Sequence, residues 1–397
     1  MQIGKVASFQ NGYAFKSKEF VEDGKFKIIK IKELKDGKVR FFKDSASVNV
    51  GNMRDFEKYI VKNGDILFAL TGDPVNKNNP LSWVGRVSVY DNAEPALLNQ
   101  RVCKLLPKEG VNSKYIYYYF RNFKNFYALA SIAKGSASQA NISTKDIESM
   151  DIELPTINIQ NKVVCILDSI EDKINENIAI NNNLEQQAQA IFANEFLSLE
   201  SQLNGWKQAS LIDIADYLNG LAMQKYRPTV DEIGIPVLKI KELRQGCCDN
   251  NSELCSPNIK SEYIIHNGDV IFSWSGSLLV DFWCGGICGL NQHLFKVTSS
   301  KYDKWFYYAW TKYHLNRFVA IAADKATTMG HIKRDELAKA EVLIPNKADY
   351  NRIGALLQPI YDSIISNRIE NKKLAETRDT LLPKLMSGEL DMSNIDL

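Results

Sequence analysis

The stretch NGDILFALTG (63–72) recurs later in the chain as NGDVIFSWSG (267–276). Each copy opens with an Asn-Gly pair, which strongly favours a tight turn, and continues with an apolar run as long as a buried strand. The same turn and strand are therefore expected twice. A repeat of this kind predicts a duplicated chain whose two halves share one fold.

Three more strings recur in the same order. SFQNGYAF (8–15) resembles DYLNGLAM (216–223), IKIKELKDG (29–37) matches LKIKELRQG (238–246), and LLNQRVCKL (97–105) matches GLNQHLFKV (289–297). Length differences between the copies fall between these strings, as expected for surface loops. Each copy also has an aromatic-rich segment that suits short helices packed on a sheet. We therefore predict two compact α+β domains of about 150 residues each.

Each predicted domain ends at a proline, Pro155 or Pro345, and a long helical pattern follows. Apolar residues of the first pattern recur at steps of three and four, the heptad spacing. They are Val163, Leu167, Ile170, Ile174, Leu184, Ala188 and Ile191. The second pattern has Ile353, Leu357, Ile360, Ile364, Leu374 and Leu381, interrupted by Gly354, Pro359 and Arg378. We expect Pro359 to kink this helix or to delay its start.

Asparagine interrupts both heptad seams at equivalent places. Asn177 and Asn181 lie in the first helix, and Asn367 and Asn371 lie 190 residues later in the second. A buried Asn at a seam position lowers stability but fixes register and partner choice. The alternative is that these side chains face solvent. Their recurrence favours burial, with Asn177 near Asn371 and Asn181 near Asn367 in an antiparallel pair.

Together these elements predict four segments: a first domain (1–155), a long helix (156–200), a second domain (201–346) and a second long helix (347–397). A helix of about 35–40 residues spans about 50–60 Å. The second helix can bury its apolar stripe only by running back along the first. The predicted fold class is α+β, with two tandem α/β domains joined by two long antiparallel coiled-coil helices around an approximate two-fold axis.

Charge is spread unevenly along the chain. Residues 1–156 carry 24 basic and 17 acidic side chains, a net charge of +7, whereas residues 157–200 carry 2 and 7. A positive surface suits a polyanion such as DNA, although chance asymmetry is the alternative. The sequence has no apolar stretch of membrane-spanning length and no signal-like N-terminus, and its seven Cys are irregularly spaced. These features favour a cytoplasmic protein with reduced thiols.

The sequence lacks the familiar catalytic and cofactor motifs. It has no Walker A run, no G-x-G-x-x-G loop and no Asn-Pro-Pro-aromatic run of an amino-methyltransferase. A nuclease site at Asp23, Glu33 and Lys35 is disfavoured because the second copy has Arg244 in place of the lysine. A zinc site is disfavoured because the first copy lacks the candidate ligands. These ligands are Cys247, Cys248, Cys255, Cys284, Cys288 and His293. We therefore expect a non-catalytic chain that holds no metal or cofactor of its own.

The paired strings carry a family resemblance that covers essentially the full chain. The NGD runs, the LNQ runs at Asn99-Gln100 and Asn291-Gln292, and TLLPKLMSGEL (380–390) resemble the DNA-specificity subunit of type I restriction–modification systems. The chain departs from that family where each long helix begins. Residues 155–160 and 345–347 keep only part of the usual Pro-Pro-Leu and Glu-Gln pattern.

The resemblance implies a non-catalytic subunit with two target recognition domains, each reading one half of a split site in double-stranded DNA. It implies that the helices set the gap between the half-sites and bind two methyltransferase subunits, which methylate adenine using S-adenosylmethionine. A motor–nuclease subunit that uses ATP and Mg would join for cleavage. Seven-residue insertions between Leu184 and Ala188, and between Leu374 and Leu381, should then lengthen the gap. The alternatives are a specificity module of another modification or nuclease system, or a silent allele without a partner.

The candidate DNA-reading residues lie in loops whose lengths differ between the copies. Arg, Lys, Asn and Gln read base edges, while other Lys contact phosphates. The alternative is that these are ordinary solvated loop residues. In the first domain the candidates are Lys77, Asn78, Asn79, Arg86, Lys134, Ser136, Ser138 and Gln139. In the second they are Lys225, Tyr226, Arg227, Lys325, Thr327, Thr328 and His331.

Overall fold

The computed structural model describes residues 1–198, 205–324 and 334–393. Contacts between residues divide the chain into two units. Unit 1 comprises Met1–Ile170 and Thr377–Leu397, and unit 2 comprises Glu171–Glu376. The division cuts both long helices, so each unit contains one globular body and a piece of each helix.

The helices are given in chain order. They are α1 (Ser113–Arg121), α2 (Phe123–Ser131), α3 (Thr144–Ser149), α4 (Ile157–Phe196), α5 (Leu211–Ile214), α6 (Ile240–Gln245), α7 (Lys304–Tyr313), α8 (Leu315–Asp324), α9 (Arg334–Ala338) and α10 (Lys347–Met386). The two long helices, α4 and α10, are the predicted heptad segments. Among the described residues, no helix combines the length and apolar character needed to cross a membrane.

The strands are short and belong to several sheets. In unit 1 they are β1 (Ala7–Asn11), β2 (Phe20–Val21), β3 (Phe26–Ile29), β4 (Leu34–Lys35), β5 (Lys38–Val39), β6 (Ser47–Val48), β7 (Ile60–Val61), β8 (Ile66–Ala69), β9 (Thr71–Gly72), β10 (Val87–Val89), β11 (Ala96–Leu98), β12 (Val102–Pro107), β13 (Lys134–Ser136) and β14 (Gln139–Asn141). In unit 2 they are β15 (Lys207–Ser210), β16 (Asp216–Asn219), β17 (Ile235–Leu238), β18 (Leu254–Cys255), β19 (Ile264–Ile265), β20 (Val270–Ser273), β21 (Leu279–Phe282), β22 (Cys288–Leu290), β23 (Leu294–Thr298) and β24 (Glu341–Ile344).

The two units share their sheet topology. Unit 1 has sheets of order β1-β12-β8-β10-β5-β4 and β2-β6-β3-β11-β7. Unit 2 has sheets of order β16-β23-β20-β21 and β18-β17-β22-β19. When β2 and the terminal pair β5-β4 are left out, the two orders match strand for strand. Each unit also has a parallel pair inside an otherwise antiparallel sheet, β3 with β11 and β17 with β22. The predicted duplication and α+β class are confirmed.

The repeated Asn-Gly strings allow two backbone segments to approach closely. A Cβ at Gly12 would lie 2.1 Å from the carbonyl oxygen of Asn99, and a Cβ at Gly220 would lie 2.2 Å from that of Asn291. The next residue then pairs with the neighbouring strand. The Tyr13 N–H donates to the Leu98 carbonyl of β11 at 2.8 Å, and the Leu221 N–H donates to the Leu290 carbonyl of β22 at 2.9 Å. Only glycine fits here. The first repeated string (8–15 or 216–223) therefore contacts the last one (97–105 or 289–297) at the same place in both units.

An ion pair joins the NGD string to the LNQ string in each unit. Lys104 Nζ lies 3.3 Å from Asp65 in unit 1, and Lys296 Nζ lies 2.9 Å from Asp269 in unit 2. Each lysine also donates to a strand carbonyl, that of Ile60 or Ile264. The NGD and LNQ runs therefore hold the sheet together.

The glutamate of the KIKEL strings is structural. Glu33 is fully buried and accepts hydrogen bonds from Ser45 Oγ at 2.8 Å and from the Lys30 N–H at 3.0 Å. Burial raises the pKa of its carboxyl group above the usual value. Glu242 is buried in the equivalent place and accepts from Ser252. These contacts give the glutamate of each string a structural role.

The two long helices run antiparallel where they pack within each unit. In unit 1, Val163 and Leu167 of α4 share a core with Leu382 and Met386 of α10. In unit 2, Arg352 forms an ion pair with Glu195 at 2.7 Å, so the start of α10 faces the end of α4. The string TLLPKLMSGEL (380–390), which carries part of the family resemblance, thus includes the end of α10 that packs against α4.

Helix α10 accommodates the residues that interrupt its pattern. It begins at Lys347 and continues past Pro359, so the expected delay was wrong. A Cβ at Gly354 would lie 2.9 Å from the Trp305 indole nitrogen, so this glycine lets the ring pack against the helix. Such close packing offsets the low helix propensity of glycine.

The cysteines form no metal site or disulfide in the described chain. All seven are free thiols, and no described cluster of His, Cys, Asp and Glu is arranged to hold a metal ion. Cys248 and Cys288 lie closest, with 3.4 Å between their sulfur atoms.

Alanine at Gly12 or Gly220 is expected to destabilise its unit. A Cβ about 2 Å from a carbonyl oxygen forces two backbone segments apart, and overpacking of this severity costs about 3 kcal/mol. Calorimetric unfolding of Gly12→Ala and Gly220→Ala would show lower transition temperatures. Gly51→Ala is the control, because nothing lies within 4 Å of its Cβ position. Unchanged transitions for all three variants would contradict the close approach.

Candidate nucleic-acid interface

A small sheet of order β13-β14-β9 brings together most of the candidates in unit 1. The hairpin β13–β14 pairs Lys134 with Asn141 and Ser136 with Gln139, and Ala140 then pairs with Gly72 of β9. All four hairpin candidates are exposed: Lys134, Ser136, Ser138 and Gln139. The loop that carries Lys77, Asn78 and Asn79 leaves β9 directly. One candidate group therefore lies on this sheet, and the other lies in the loop that follows its strand β9.

The loop after β9 is ordered by its own contacts and presents polar side chains. Lys77, Asn78 and Asn79 are exposed. The Trp83 indole N–H donates to the Lys77 carbonyl at 3.0 Å, and Asn79 Oδ1 accepts from the Leu81 N–H at 3.2 Å. Within the described residues the Lys77 ammonium has no ion-pair partner. The backbone is therefore fixed while Lys77 and Asn78 remain available for a ligand.

Arg86 lies apart from this polar group and holds the backbone. Its Nη atoms donate to the carbonyls of Leu34, Leu81 and Ile31 over 2.9–3.1 Å. Burial lowers the pKa of its guanidinium, with Asp73 and Asp36 acting in the opposite direction. These contacts occupy the groups that would read a base edge. We therefore assign Arg86 to supporting the loop that ends at Leu81.

Sequence reasoning missed Arg101, which extends the polar surface. This exposed side chain donates to Asn141 Oδ1 at 3.2 Å and lies 3.4 Å from Thr71 Oγ1. It thus contacts both β14 and β9. The LNQ run ends immediately before it, but the run was read only as a family string. Local sequence patterns could not predict the contact between Arg101 and Asn141, because the two residues are far apart in sequence.

In unit 2 the described candidates lie on the segment between β16 and β17. Lys225, Tyr226 and Arg227 are exposed, and Arg227 pairs with Glu253 at 3.2 Å. The backbone is held because the Ser256 N–H donates to the Tyr226 carbonyl at 2.8 Å. Farther along this segment Val230 is fully exposed. The other four candidates, Lys325, Thr327, Thr328 and His331, lie outside the described residues.

The seam asparagines form a hydrogen-bonded layer between α4 and α10. Asn177 Nδ2 donates to Asn371 Oδ1, and Asn367 Nδ2 donates to Asn181 Oδ1, both at 2.9 Å. Asn181 also donates to the Ile364 carbonyl and Asn371 to that of Ile174, both at 3.3 Å. These four bonds form two pairs related by the offset of 190 residues, and Asn177 Nδ2 in addition donates to Glu370 Oε2 at 2.7 Å. Asn177 and Asn181 are buried, so the layer lies inside the helix pair.

Leucine at all four seam asparagines is expected to stabilise the helix pair. Replacing a satisfied polar layer by apolar side chains typically adds about 1–4 kcal/mol but removes the bonds that fix register. The predicted result is a higher unfolding temperature with altered self-association, measured by calorimetry and analytical ultracentrifugation. Asn182→Leu, on an exposed position of α4, is the control. Lower stability of the quadruple variant with unchanged association would contradict this role.

Comparison with known proteins gives one family. The model of the type I restriction modification DNA specificity domain matches residues 1–186 and 204–376. The type I restriction enzyme MjaIX specificity subunit of Methanocaldococcus jannaschii is 26% identical over 337 residues, 79% of this chain and 76% of that protein. The HindI specificity subunit of Haemophilus influenzae is 20% identical over 341 residues, 67% and 74% of the two chains.

A solved structure has the same fold. The type I restriction–modification S subunit from M. genitalium aligns with a TM-score of 0.60 and covers 97% of this chain and 95% of its own. Its sequence identity is 14%, so this likeness concerns the fold.

Proposed function

Because the chain belongs to the type I restriction–modification DNA specificity family, we propose that each unit reads one half of a bipartite site in double-stranded DNA. The observation that carries this proposal is the shared strand order of the units, combined with different exposed loops. A common framework with divergent loops suits two readers of different sequences.

In unit 1 the reading surface consists of the hairpin β13–β14 and the loop after β9. The side-chain amides of Asn78 and Gln139 can each form two hydrogen bonds with the edge of an adenine. The guanidinium of Arg101 can donate two hydrogen bonds to the edge of a guanine. Lys77 and Lys134 suit phosphates, which position the protein without specifying sequence. Asn79, Ser136 and Ser138 complete the surface as shorter hydrogen-bonding groups.

In unit 2 the reading surface includes Lys225, Tyr226 and Arg227. The proposal extends to Lys325, Thr327, Thr328 and His331. These residues belong to the segment between α8 and α9, which corresponds in the repeat to the segment of the β13–β14 hairpin in unit 1. The corresponding segments 134–139 and 325–331 differ in residue types, as different half-sites require.

The helices α4 and α10 connect the two readers and set the gap between half-sites. The chain itself supplies recognition and no catalysis. Two methyltransferase subunits, which bind S-adenosylmethionine, modify adenine in the recognised DNA, and a motor–nuclease subunit using ATP and Mg joins for cleavage in the cytoplasm. The hydrogen bonds of the asparagine layer fix the register of α4 against α10, and so fix the length over which the two helices overlap.

Methylome sequencing of cells with the chain and its methyltransferase subunit tests the proposal. The wild-type complex should methylate one bipartite sequence. The double variant Asn78→Ala and Gln139→Ala should relax one half of that sequence and lower affinity about 30- to 25,000-fold, because each of the two bidentate contacts is worth about 1–3 kcal/mol. Lys145→Ala, an exposed site on α3, is the matched control. An unchanged site and affinity in the double variant would contradict this assignment.

A further inference from the structure

Two thiols of unit 2 lie in contact although they are far apart in sequence. The sulfur atoms of Cys248 and Cys288 are 3.4 Å apart, and one thiol donates a hydrogen bond to the other. Cys288 is the first residue of β22 and is fully buried, whereas Cys248 lies in the loop after α6 and is half-buried. One sulfur is therefore held inside the sheet while the other lies partly open to solvent.

The equivalent positions of unit 1 hold no sulfur. The alignment of the KIKEL strings, extended by two residues, pairs Cys248 with Val39. The alignment of the LNQ strings, extended backwards by one residue, pairs Cys288 with Ala96. Val39 and Ala96 are buried in one apolar cluster. The shared fold therefore accepts an apolar pair at these positions, and the two thiols are a feature of unit 2 alone.

Other buried cysteines of unit 2 are separated from this pair. Cys255 belongs to the apolar cluster of Val237, whereas Cys288 belongs to that of Leu238. Since Val237 and Leu238 are successive residues of β17, the two cysteines lie on opposite faces of the sheet. Cys284 is buried in the main core of the unit. Burial raises the pKa of Cys255 and that of Cys284, so both remain unreactive thiols.

The contact between the two thiols favours the thiolate of Cys248. The pKa of Cys248 is lowered, chiefly because the Cys288 thiol donates a hydrogen bond to its sulfur, and the Lys372 ammonium acts in the same direction. Lys372 is held beside β22 by a hydrogen bond to the Gly285 carbonyl. The same thiol contact and burial raise the pKa of Cys288. Because the thiolate is the nucleophile, Cys248 is the sulfur that attacks an oxidant.

We propose that Cys248 and Cys288 form a reversible redox site, at which hydrogen peroxide converts the two thiols to a disulfide. The Cys248 thiolate attacks one peroxide oxygen and the O–O bond breaks, which leaves Cys248 as a sulfenic acid and releases the other oxygen, with a proton, as water. The Cys288 sulfur then attacks the sulfenic sulfur. The sulfenic hydroxyl and the Cys288 proton leave as a second water, and the S–S bond forms. A dithiol returns both residues to thiols by exchange.

The disulfide would fasten a surface loop of unit 2 to its sheet. Strand β22 is hydrogen-bonded by β17 on one side and by β19 on the other, so the loop that carries Cys248 makes the movement to bonding distance. Farther along the chain from this loop, Glu253 pairs with Arg227 at 3.2 Å, and the Ser256 N–H donates to the Tyr226 carbonyl. Oxidation thus tethers the chain that supports the segment of Tyr226 and Arg227.

Peptide mapping of the peroxide-treated full chain, without reductant, tests the proposal. Wild type should yield a peptide pair joined through Cys248 and Cys288. Its unfolding temperature should rise by about 5–10 °C, because the cross-link closes a loop of about 40 residues. Dithiothreitol should reverse both changes. The matched variant, Cys248→Val with Cys288→Ala, copies unit 1 and should fold without either response. Cys165→Ser, which removes the exposed thiol of α4, should still form the cross-link.

Single variants identify the sulfur that attacks. In Cys288→Ala, peroxide should leave a sulfenic acid on Cys248 that dimedone labels, because the second thiol is missing. In Cys248→Val, Cys288 should stay reduced and unlabelled. The opposite labelling would overturn the proposed order of attack. Wild type in which both thiols remain reduced would overturn the site itself, and so would a disulfide from either residue to Cys247 or Cys255, or a cross-link that dithiothreitol does not reverse.

Discussion

Replacing residues 1–150 with the equivalent segment of a relative that reads another site is expected to change one half of the methylated sequence. The exchanged segment contains β9, the hairpin β13–β14 and the sheets that support them. Unit 2 is untouched, and recognition sites that share no partner residues contribute independently. With each wrong base pair costing about 1–3 kcal/mol, the old half-site should lose at least about 100-fold in preference.

The junction of this chimera must respect contacts between the unit 1 body and α4. Asn112 Nδ2 donates to Asn161 Oδ1 at 2.8 Å, and the Asn112 N–H donates to Gln160 Oε1 at 2.9 Å. Lys114 and Tyr118 both contact the Asp168 carboxylate. We expect a chimera that retains Asn112, Lys114 and Tyr118 to fold, whereas a plain exchange loses stability.

Methylome sequencing reads the result of the exchange directly. The matched control is the reciprocal exchange of residues 205–345, which should alter the other half of the site. If either chimera changed both halves, recognition would not be divided between the units.

The sequence predicted the elements that depend on local pattern. The repeated Asn-Gly turns, the strands after them and the heptad spacing of α4 and α10 are set by neighbouring residues. The recurrence of the seam asparagines at one offset was enough to suggest which residues face each other. The predicted start of the second helix at 347 agrees with α10, whereas the delay considered for Pro359 does not occur, because this proline is tolerated within a helix that packs along its length.

The candidate site was less accessible to sequence reasoning because its contacts connect distant residues. The sequence alone does not distinguish an arginine that donates to three backbone carbonyls, such as Arg86, from an arginine that faces solvent. The contact of Arg101 with Asn141 depends on the sheet that joins β9 to β14. The structural role of Lys104 and Lys296 was not predicted for the same reason. The aspartate that pairs with each lysine lies in the NGD string, far away in sequence.

Lengthening α4 alone by seven residues between Leu184 and Ala188 is expected to abolish methylation. Phe192 and Phe196 at the end of α4 are buried in the unit 2 core, and so are Ile353 and Leu357 near the start of α10. An insertion of about 10 Å in one helix moves one anchor while the other stays in place. The core then loses one of its two attachments, so the variant should also unfold at a lower temperature.

The compensating insertion must face the first one across the helix pair. Arg368 contacts Glu185 at 2.8 Å and Arg352 contacts Glu195 at 2.7 Å, so the α10 segment opposite Leu184 and Ala188 is 360–364. The repeat-equivalent place between Leu374 and Leu381, which the sequence suggested, lies toward the other end of the pair. The facing contacts favour 360–364 over that place, because insertions at non-facing places shift the register of the helix segment between them.

Seven residues added between Leu184 and Ala188, together with seven between Ile360 and Ile364, should therefore restore a cooperative fold. Both heptad seams are preserved, and the connection grows by about 10 Å, or about three base pairs at 3.4 Å each. Three base pairs also turn the duplex by about 100°, so activity should stay below wild type. Methylome sequencing should find the two half-sites unchanged and their gap longer, whereas insertions at 184–188 and 374–381 should remain inactive. Methylation of the original gap by the facing double variant would show that the helices do not set the spacing.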